Sequence, residues 1–254
     1  MLKKSFLLGC VCALGLAASP ALAGDFSGTI TGNYLNADVH AFGGSANGNA
    51  WGGSGELQAG LSDMIHAQVN GSYNHLSFTG VDINVSTIDG SVFMPFDAGR
   101  VGATLGYTSL GGDASGNQTN YGAFGEFWAA DNFTLGAKLG GITGGGSSAG
   151  YWGGEAVFYP MADLALNGQI AGISNGGETD YTGSAEFLVS EDVPISVGGG
   201  YTYVNIGSSS GHVDIWFAKA TLYFGDDSAK TLVDHHRTGN LGWLTGTSNT
   251  GLQF

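Results

Sequence analysis

The chain has 254 residues, with 21 acidic against seven basic side chains, 47 glycines, four prolines and two cysteines. A surface this acidic has little to neutralise phosphates, which argues against a nucleic-acid partner. The glycines follow no G-X-Y period, which excludes collagen. The 10 Tyr, 14 Phe and 5 Trp are spread at strand-like positions, which argues against low-complexity disorder.

Residues 1–23 read as a secretory signal: Lys3 and Lys4, an apolar run from Phe6 to Ala18, and the small-x-small site Ala21-Leu22-Ala23. The apolar run is short for a membrane anchor and ends in Ser19-Pro20. Leu7 to Cys10 only faintly matches a lipoprotein box, because Cys10 comes too early. Both cysteines, Cys10 and Cys12, fall in this segment, so the remainder offers no disulfide and no thiolate metal site. It also keeps five basic residues against 21 acidic ones, a formal charge of −16.

From Phe26 onward the apolar residues recur every second position, as in strands with one greasy and one polar face. In Trp51 to Leu61, Trp51, Leu57, Ala59 and Leu61 share one parity, and Ser54, Glu56 and Gln58 the other. Taken in order, the predicted strands are Phe26–Asn36, Ala50–Leu61, Met64–His75, Val81–Met94, Gly99–Ser109, Tyr121–Trp128, Phe133–Ile142, Tyr151–Tyr159, Leu164–Ile173, Tyr181–Val189, Ile195–Val204 and Val213–Phe224. The parity of Val81–Met94 breaks near Thr87 to Asp89, where a bulge is expected.

Brief links at Ser62-Asp63, Pro95 to Asp97, Ala130 to Asn132, Pro160 to Asp163 and Glu191 to Pro194 alternate with mostly longer Gly/Ser/Asn-rich ones. The longer links are residues 37–49, 110–120, 144–150, 174–180 and 205–211. This repeated hairpin predicts an all-β, closed, antiparallel up-and-down transmembrane barrel of about 12 strands, with 10 or 14 as alternatives. Many acids fall in the links. An acidic rim attracts divalent cations or cationic solutes, although a plainly solvated loop explains the same residues.

Aromatics mark the strand ends. Tyr34, Trp51, Tyr73, Tyr107, Tyr121, Trp152, Tyr181, Tyr201, Tyr203 and Trp216 lie near the long-link end. Phe26, Phe93, Phe127, Phe133, Phe158, Phe187 and Phe224 lie near the short-link end. These are the expected membrane girdles. Orienting each strand by its girdle residue puts Glu56, His66, Arg100, Glu126, Lys138, Glu155, Glu186 and Lys219 on the opposite face, as candidate lumen-lining groups. Gln68, Asn70, Asn167 and Gln169 follow the same rule. Asp89 sits on the ambiguous strand. Small residues such as Gly52, Ser54, Gly102, Thr104, Gly136, Ser196, Gly198 and Gly200 share the inward face and leave room for water.

On these features residues 24–224 resemble the small porin-like barrels of the Gram-negative outer membrane. The resemblance implies outer-membrane lipid around the barrel, insertion by the barrel-assembly machinery, and a last strand ending in an aromatic residue. Phe224 closes a strong alternating strand; Phe254 closes a weakly patterned one and would make the count odd. Residues 225–254 are then a departure from the family, a periplasmic tail that enters the lumen, touches the cell wall or stays disordered, with disorder the leading expectation.

No catalytic spacing, cofactor motif or metal-ligand set stands out. His235 and His236 are adjacent and would diverge on a strand, and the glycine-rich stretches lack the Lys and helix of a phosphate loop. The sequence therefore points to a passive channel for small polar solutes with a mixed-charge lumen. A closed structural or surface-recognition barrel is the main alternative, and an outer-membrane hydrolase a minor one.

Overall fold

The computed structural model describes residues 26–41, 44–78, 80–174, 177–190, 194–207, 211–225, 229–239 and 241. The predicted signal segment, residues 1–23, lies outside them. Twelve strands are described: β1 (Phe26–Ala41), β2 (Gly44–Ser62), β3 (Ile65–Phe78), β4 (Val81–Phe96), β5 (Gly99–Gly112), β6 (Gly116–Ala130), β7 (Phe133–Gly144), β8 (Ser147–Met161), β9 (Leu164–Ile173), β10 (Glu178–Ser190), β11 (Ile195–Ile206) and β12 (Gly211–Phe224). Each pairs antiparallel with its sequence neighbours, and β1 pairs with β12 from Gly28↔Phe224 to His40↔His212. The barrel is closed and leaves no edge strand exposed.

Two expectations change. The glycine-rich links are mostly strand. β1 runs to Ala41 and β2 begins at Gly44, and Gly44 pairs back to Ala41. A backbone ladder needs no apolar side chains, so it continues past the greasy belt that the parity pattern marks. The β7–β8 hairpin shows the tight end of such a link: Gly144 pairs with Ser147, and Gly145 and Gly146 both take positive φ, as a two-residue primed turn requires.

The bulge is also absent. β4 keeps unbroken register with β3 from His66↔Phe93 to Phe78↔Val81, and with β5 from Ile83↔Gly112 to Phe96↔Gly99. Register irregularities lie instead at Gly60/Ser62, Trp128/Ala130, Phe158/Met161 and Leu188/Ser190, all beside brief links. The parity of β4 breaks because each face changes chemistry along its length. Ile88, Val92 and Met94 are exposed outside, whereas Val85 is buried inside with Ile83 packed beside it.

The interior is layered. At the far end, away from the chain termini, Leu35, Ala37, Ala50, Leu76, Val85, Val213 and Ile215 form an inward apolar cluster. The middle is polar, with inward threonines bridging neighbouring strands: Thr31–Thr221 at 3.0 Å, Thr87–Thr108 at 3.1 Å and Thr182–Thr202 at 2.8 Å. At the terminal end, where β1 begins and β12 finishes, Val157, Tyr159, Ala165, Leu188 and Tyr223 surround Leu232 of a short helix, α1 (Leu232–Thr238).

That helix corrects the expectation of a disordered tail for residues 229–239. Thr231 and Asp234 form a reciprocal capping box: the Asp234 N–H donates to Thr231 Oγ1 at 3.2 Å, and the Thr231 N–H donates to Asp234 Oδ2 at 3.0 Å. Seven residues are too few to hold helix in water alone, so packing against the barrel maintains it. Thr231→Ala should weaken α1 by about 1 kcal/mol. Amide exchange within α1 should then rise several-fold, with the barrel strands unchanged.

Candidate functional site: the lumen and its plug

The structure places all eight candidate lumen residues on the inward face. Their side chains acquire partners among the described contacts, Glu56 through the Thr29 hydroxyl. Arg100 Nε donates to Glu126 Oε2 at 2.6 Å, with the two side chains 2% and 7% exposed. Lys219 Nζ meets Glu186 Oε2 at 2.5 Å. Glu186 also accepts from Tyr223 Oη at 2.7 Å and from Ser196 Oγ. Glu155 accepts from Asn167 and Gln169. His66 lies against Phe93, with ring centroids 5.4 Å apart. Lys138 is buried. Glu56 Oε2, Asn167 Oδ1 and Gln169 Oε1 are buried oxygens that accept no hydrogen bond from a protein donor.

Asp89 also turns inward and accepts from Asn120 Nδ2 at 3.3 Å. Phe93, expected in the outer girdle, is inward and buried, with its ring 6.5 Å from Phe124 and under the Arg100 guanidinium at 5.9 Å. It shares the parity of Asp89, and the apolar interior at the far end concealed that parity in the sequence. The girdle candidates Tyr34, Trp51, Tyr107, Tyr121, Trp152, Tyr181, Trp216, Phe127, Phe158 and Phe187 are exposed. Tyr73, Tyr201, Phe26, Phe133 and Phe224 are partly covered on the same outward parity.

The small inward residues do not widen the lumen as expected, because neighbouring large side chains occupy their space. A methyl group at Gly102 would collide with Phe93 and Phe124, at Gly140 with Tyr151, at Gly52 with Asn74, and at Gly200 with Phe217. Large and small residues interdigitate across strands, as in a filled interior.

α1 occupies the terminal mouth. Wall side chains grip its backbone: Arg100 Nη2 donates to His236 O at 2.8 Å, and Gln58 Nε2 to Thr238 O at 2.7 Å. Gln68 Oε1 accepts from the Leu241 N–H at 3.3 Å. The Val233 N–H donates to Ala162 O at 3.2 Å, and Arg237 Nη2 to Ala130 O at 2.7 Å. The Arg237 guanidinium lies 5.6 Å from the Trp128 ring and 5.9 Å from the Tyr159 ring. His236 links the two lumen ion pairs: its carbonyl accepts a hydrogen bond from Arg100, and its ring Nε2 is 3.8 Å from Glu186 Oε2. Leu232 is fully buried and His235 stacks on Tyr223 at 4.3 Å. Sequence reasoning named entry into the lumen only as an alternative to disorder and did not place a helix there, although Thr231-Leu-Val-Asp234 carries the spacing of a helix-capping box.

No family model matches this chain, and no curated protein does. Among solved structures it is similar to an outer-membrane channel from Pseudomonas putida F1, at a TM-score of 0.60 and 9% identity over 79% of this chain and 96% of that one. The KdgM porin in complex with disordered oligogalacturonate superposes at 0.53 and 7% identity, covering 76% of this chain and 99% of that one. The translocator domain of the autotransporter NalP from Neisseria meningitidis gives 0.53 and 11%, covering 86% and 98%. The chain therefore has the fold of outer-membrane β-barrels, porin-like in size and closure.

Proposed function

We propose that this protein is an outer-membrane channel for small polar solutes whose terminal mouth is closed by its own C-terminal helix. The observation that carries the reading is the plug's mode of attachment. Three lumen side chains, Arg100, Gln58 and Gln68, bond to the plug's backbone. Water replaces such bonds at modest net cost, so release of the plug is opposed chiefly by its apolar anchor, Leu232 among Val157, Tyr159, Ala165, Leu188 and Tyr223. Glu56, Asn167 and Gln169 add buried oxygens that need a donor from water or from a solute.

On this reading an exported chain inserts through the barrel-assembly machinery, lipid surrounds the aromatic girdles, and the plug faces the periplasm. Seven acids of inward parity (Glu56, Asp89, Glu126, Glu155, Glu178, Asp180 and Glu186) exceed three inward bases (Arg100, Lys138 and Lys219). The open lumen should therefore favour cations over anions. An acidic oligosaccharide such as the one bound by KdgM does not suit this wall.

Planar-bilayer recording tests the proposal. A disulfide between Ala162→Cys and Val233→Cys, placed where the two backbones touch, should hold the protein silent until reduced. Leu232→Asp combined with Arg237→Ala should conduct in steady steps. Silence from the correctly folded release variant would favour the closed structural barrel instead. Equal conductance from oxidised and reduced staple would remove the plug from the gating role.

A further inference from the structure

We propose that His40, His212 and Asp214 form a binding site for a divalent transition-metal ion, zinc foremost, on the outer face of the seam where β1 meets β12. The three residues come together only when the barrel closes. His40 and His212 are direct partners across the seam, and Asp214 follows His212 by two positions on the same face. The His212 Nε2 to Asp214 Oδ2 distance is 3.4 Å, and the His40 Nε2 to Asp214 Oδ2 distance is 3.8 Å. All three ligand atoms lie within 4.8 Å of one another. A zinc ion about 2.0–2.2 Å from each N or O ligand holds its ligands roughly 3.5 Å apart, so the two imidazole–carboxylate edges already have the needed length.

Supporting groups surround the triangle. Tyr201 Oη donates to Asp214 Oδ1, which leaves Oδ2 turned toward the two imidazoles. Tyr203 stacks on His212 with ring centroids 5.4 Å apart, and the His40 and His212 rings stack at 4.7 Å. Such outer contacts fix ring orientation and ligand basicity in metal sites. Asp38, the cross-seam partner of Asp214, adds a second negative charge on the same face. Two imidazoles with one carboxylate suit zinc, copper or nickel, whereas magnesium and calcium prefer all-oxygen sets.

The site stands apart from the lumen. Its residues share the outward parity of Tyr34 and Trp216, and His40 lies six residues beyond Tyr34, roughly 20 Å along the strand. The site therefore lies at the outer rim of the aromatic boundary, against Tyr201 and Tyr203, with His40 and His212 46% and 39% exposed. Three protein ligands leave a coordination position open to solvent or to an anionic headgroup. An ion bound there cross-links the first and last strands and binds only the closed form, so it stabilises the barrel by mass action.

Zinc titration of the folded full-length protein tests this, with magnesium as the control cation. One zinc per chain should bind in the micromolar range. His40→Ala or His212→Ala should weaken uptake more than tenfold, and Tyr201→Phe about tenfold. His75→Ala, which alters the other outward His–Asp pair, should leave uptake unchanged. Without any substitution, zinc but not magnesium should shield His40 and His212 from diethyl pyrocarbonate. No zinc uptake, uptake indifferent to both histidine variants, or no shielding would overturn the assignment.

Discussion

Arg100→Ala should destabilise the folded barrel by about 3–5 kcal/mol, read as a lower denaturant midpoint at unchanged slope. The substitution leaves Glu126 without its guanidinium partner, in a position 7% exposed, and removes a donor that holds the plug at His236 O. The magnitude follows from desolvation: a carboxylate out of water needs its counter-charge, and losing one partner costs far more than losing both. Arg100→Met with Glu126→Leu should therefore recover most of the loss. The experiment also reports how wet the lumen is. A cost below about 1 kcal/mol would mean that water screens the pair as it does at a surface. The polar middle layer would then be hydrated rather than packed, and the plug would lose one of its anchors without much consequence for the barrel.

Leu139→Arg and Leu105→Arg should each cost about 2–4 kcal/mol in lipid vesicles if the residues lie near the bilayer midplane. Both leucines are large, apolar and open on the outer face, 66% and 62% exposed. On a water-bathed surface the same substitution changes stability by about 0.5 kcal/mol or less. The contrast tests the environment of the outer face rather than its packing, because neither side chain has a tight neighbour to lose. A depth series follows from the same logic: Ile30, Val101 and Leu222 are also exposed outside, and the cost should fall as the charge nears either aromatic girdle.

The barrel was legible in the chain because a strand facing lipid and lumen must alternate, and the inward charges sorted with that alternation. Three things stayed hidden, each for a physical reason. The strands outrun the greasy belt, since hydrogen-bonded ladders such as Ala41↔Gly44 impose no hydrophobic pattern. Asp89 and Phe93 were obscured because the inner face of β4 becomes apolar at the far end, around Ile83 and Val85. Entry of the tail into the lumen ranked below disorder because α1 is barely two turns, too short for a helical period, and is held by contacts with strands distant in sequence. The metal triangle is of the same kind: no local spacing joins His40 to Asp214, and only barrel closure does.

The inward small residues teach a related point. Gly102 and Gly200 read as open space along a single strand, but the barrel sets Phe93, Phe124 and Phe217 against them. Lumen width therefore depends on cross-strand register as much as on composition. On the channel reading, a pore has to be opened by moving the plug and by parting inward side chains, those of the far-end apolar cluster included.

In a barrel that spans a bilayer, lipid faces Leu105, Leu139 and Ala220. Single cysteines there, in a chain with no other cysteine after Cys12, can carry nitroxide labels for power-saturation EPR in vesicles. Collision with oxygen, which partitions into the bilayer, should exceed collision with a water-soluble nickel chelate at all three sites. Greater access to the nickel chelate would place this face in water and contradict the transmembrane reading.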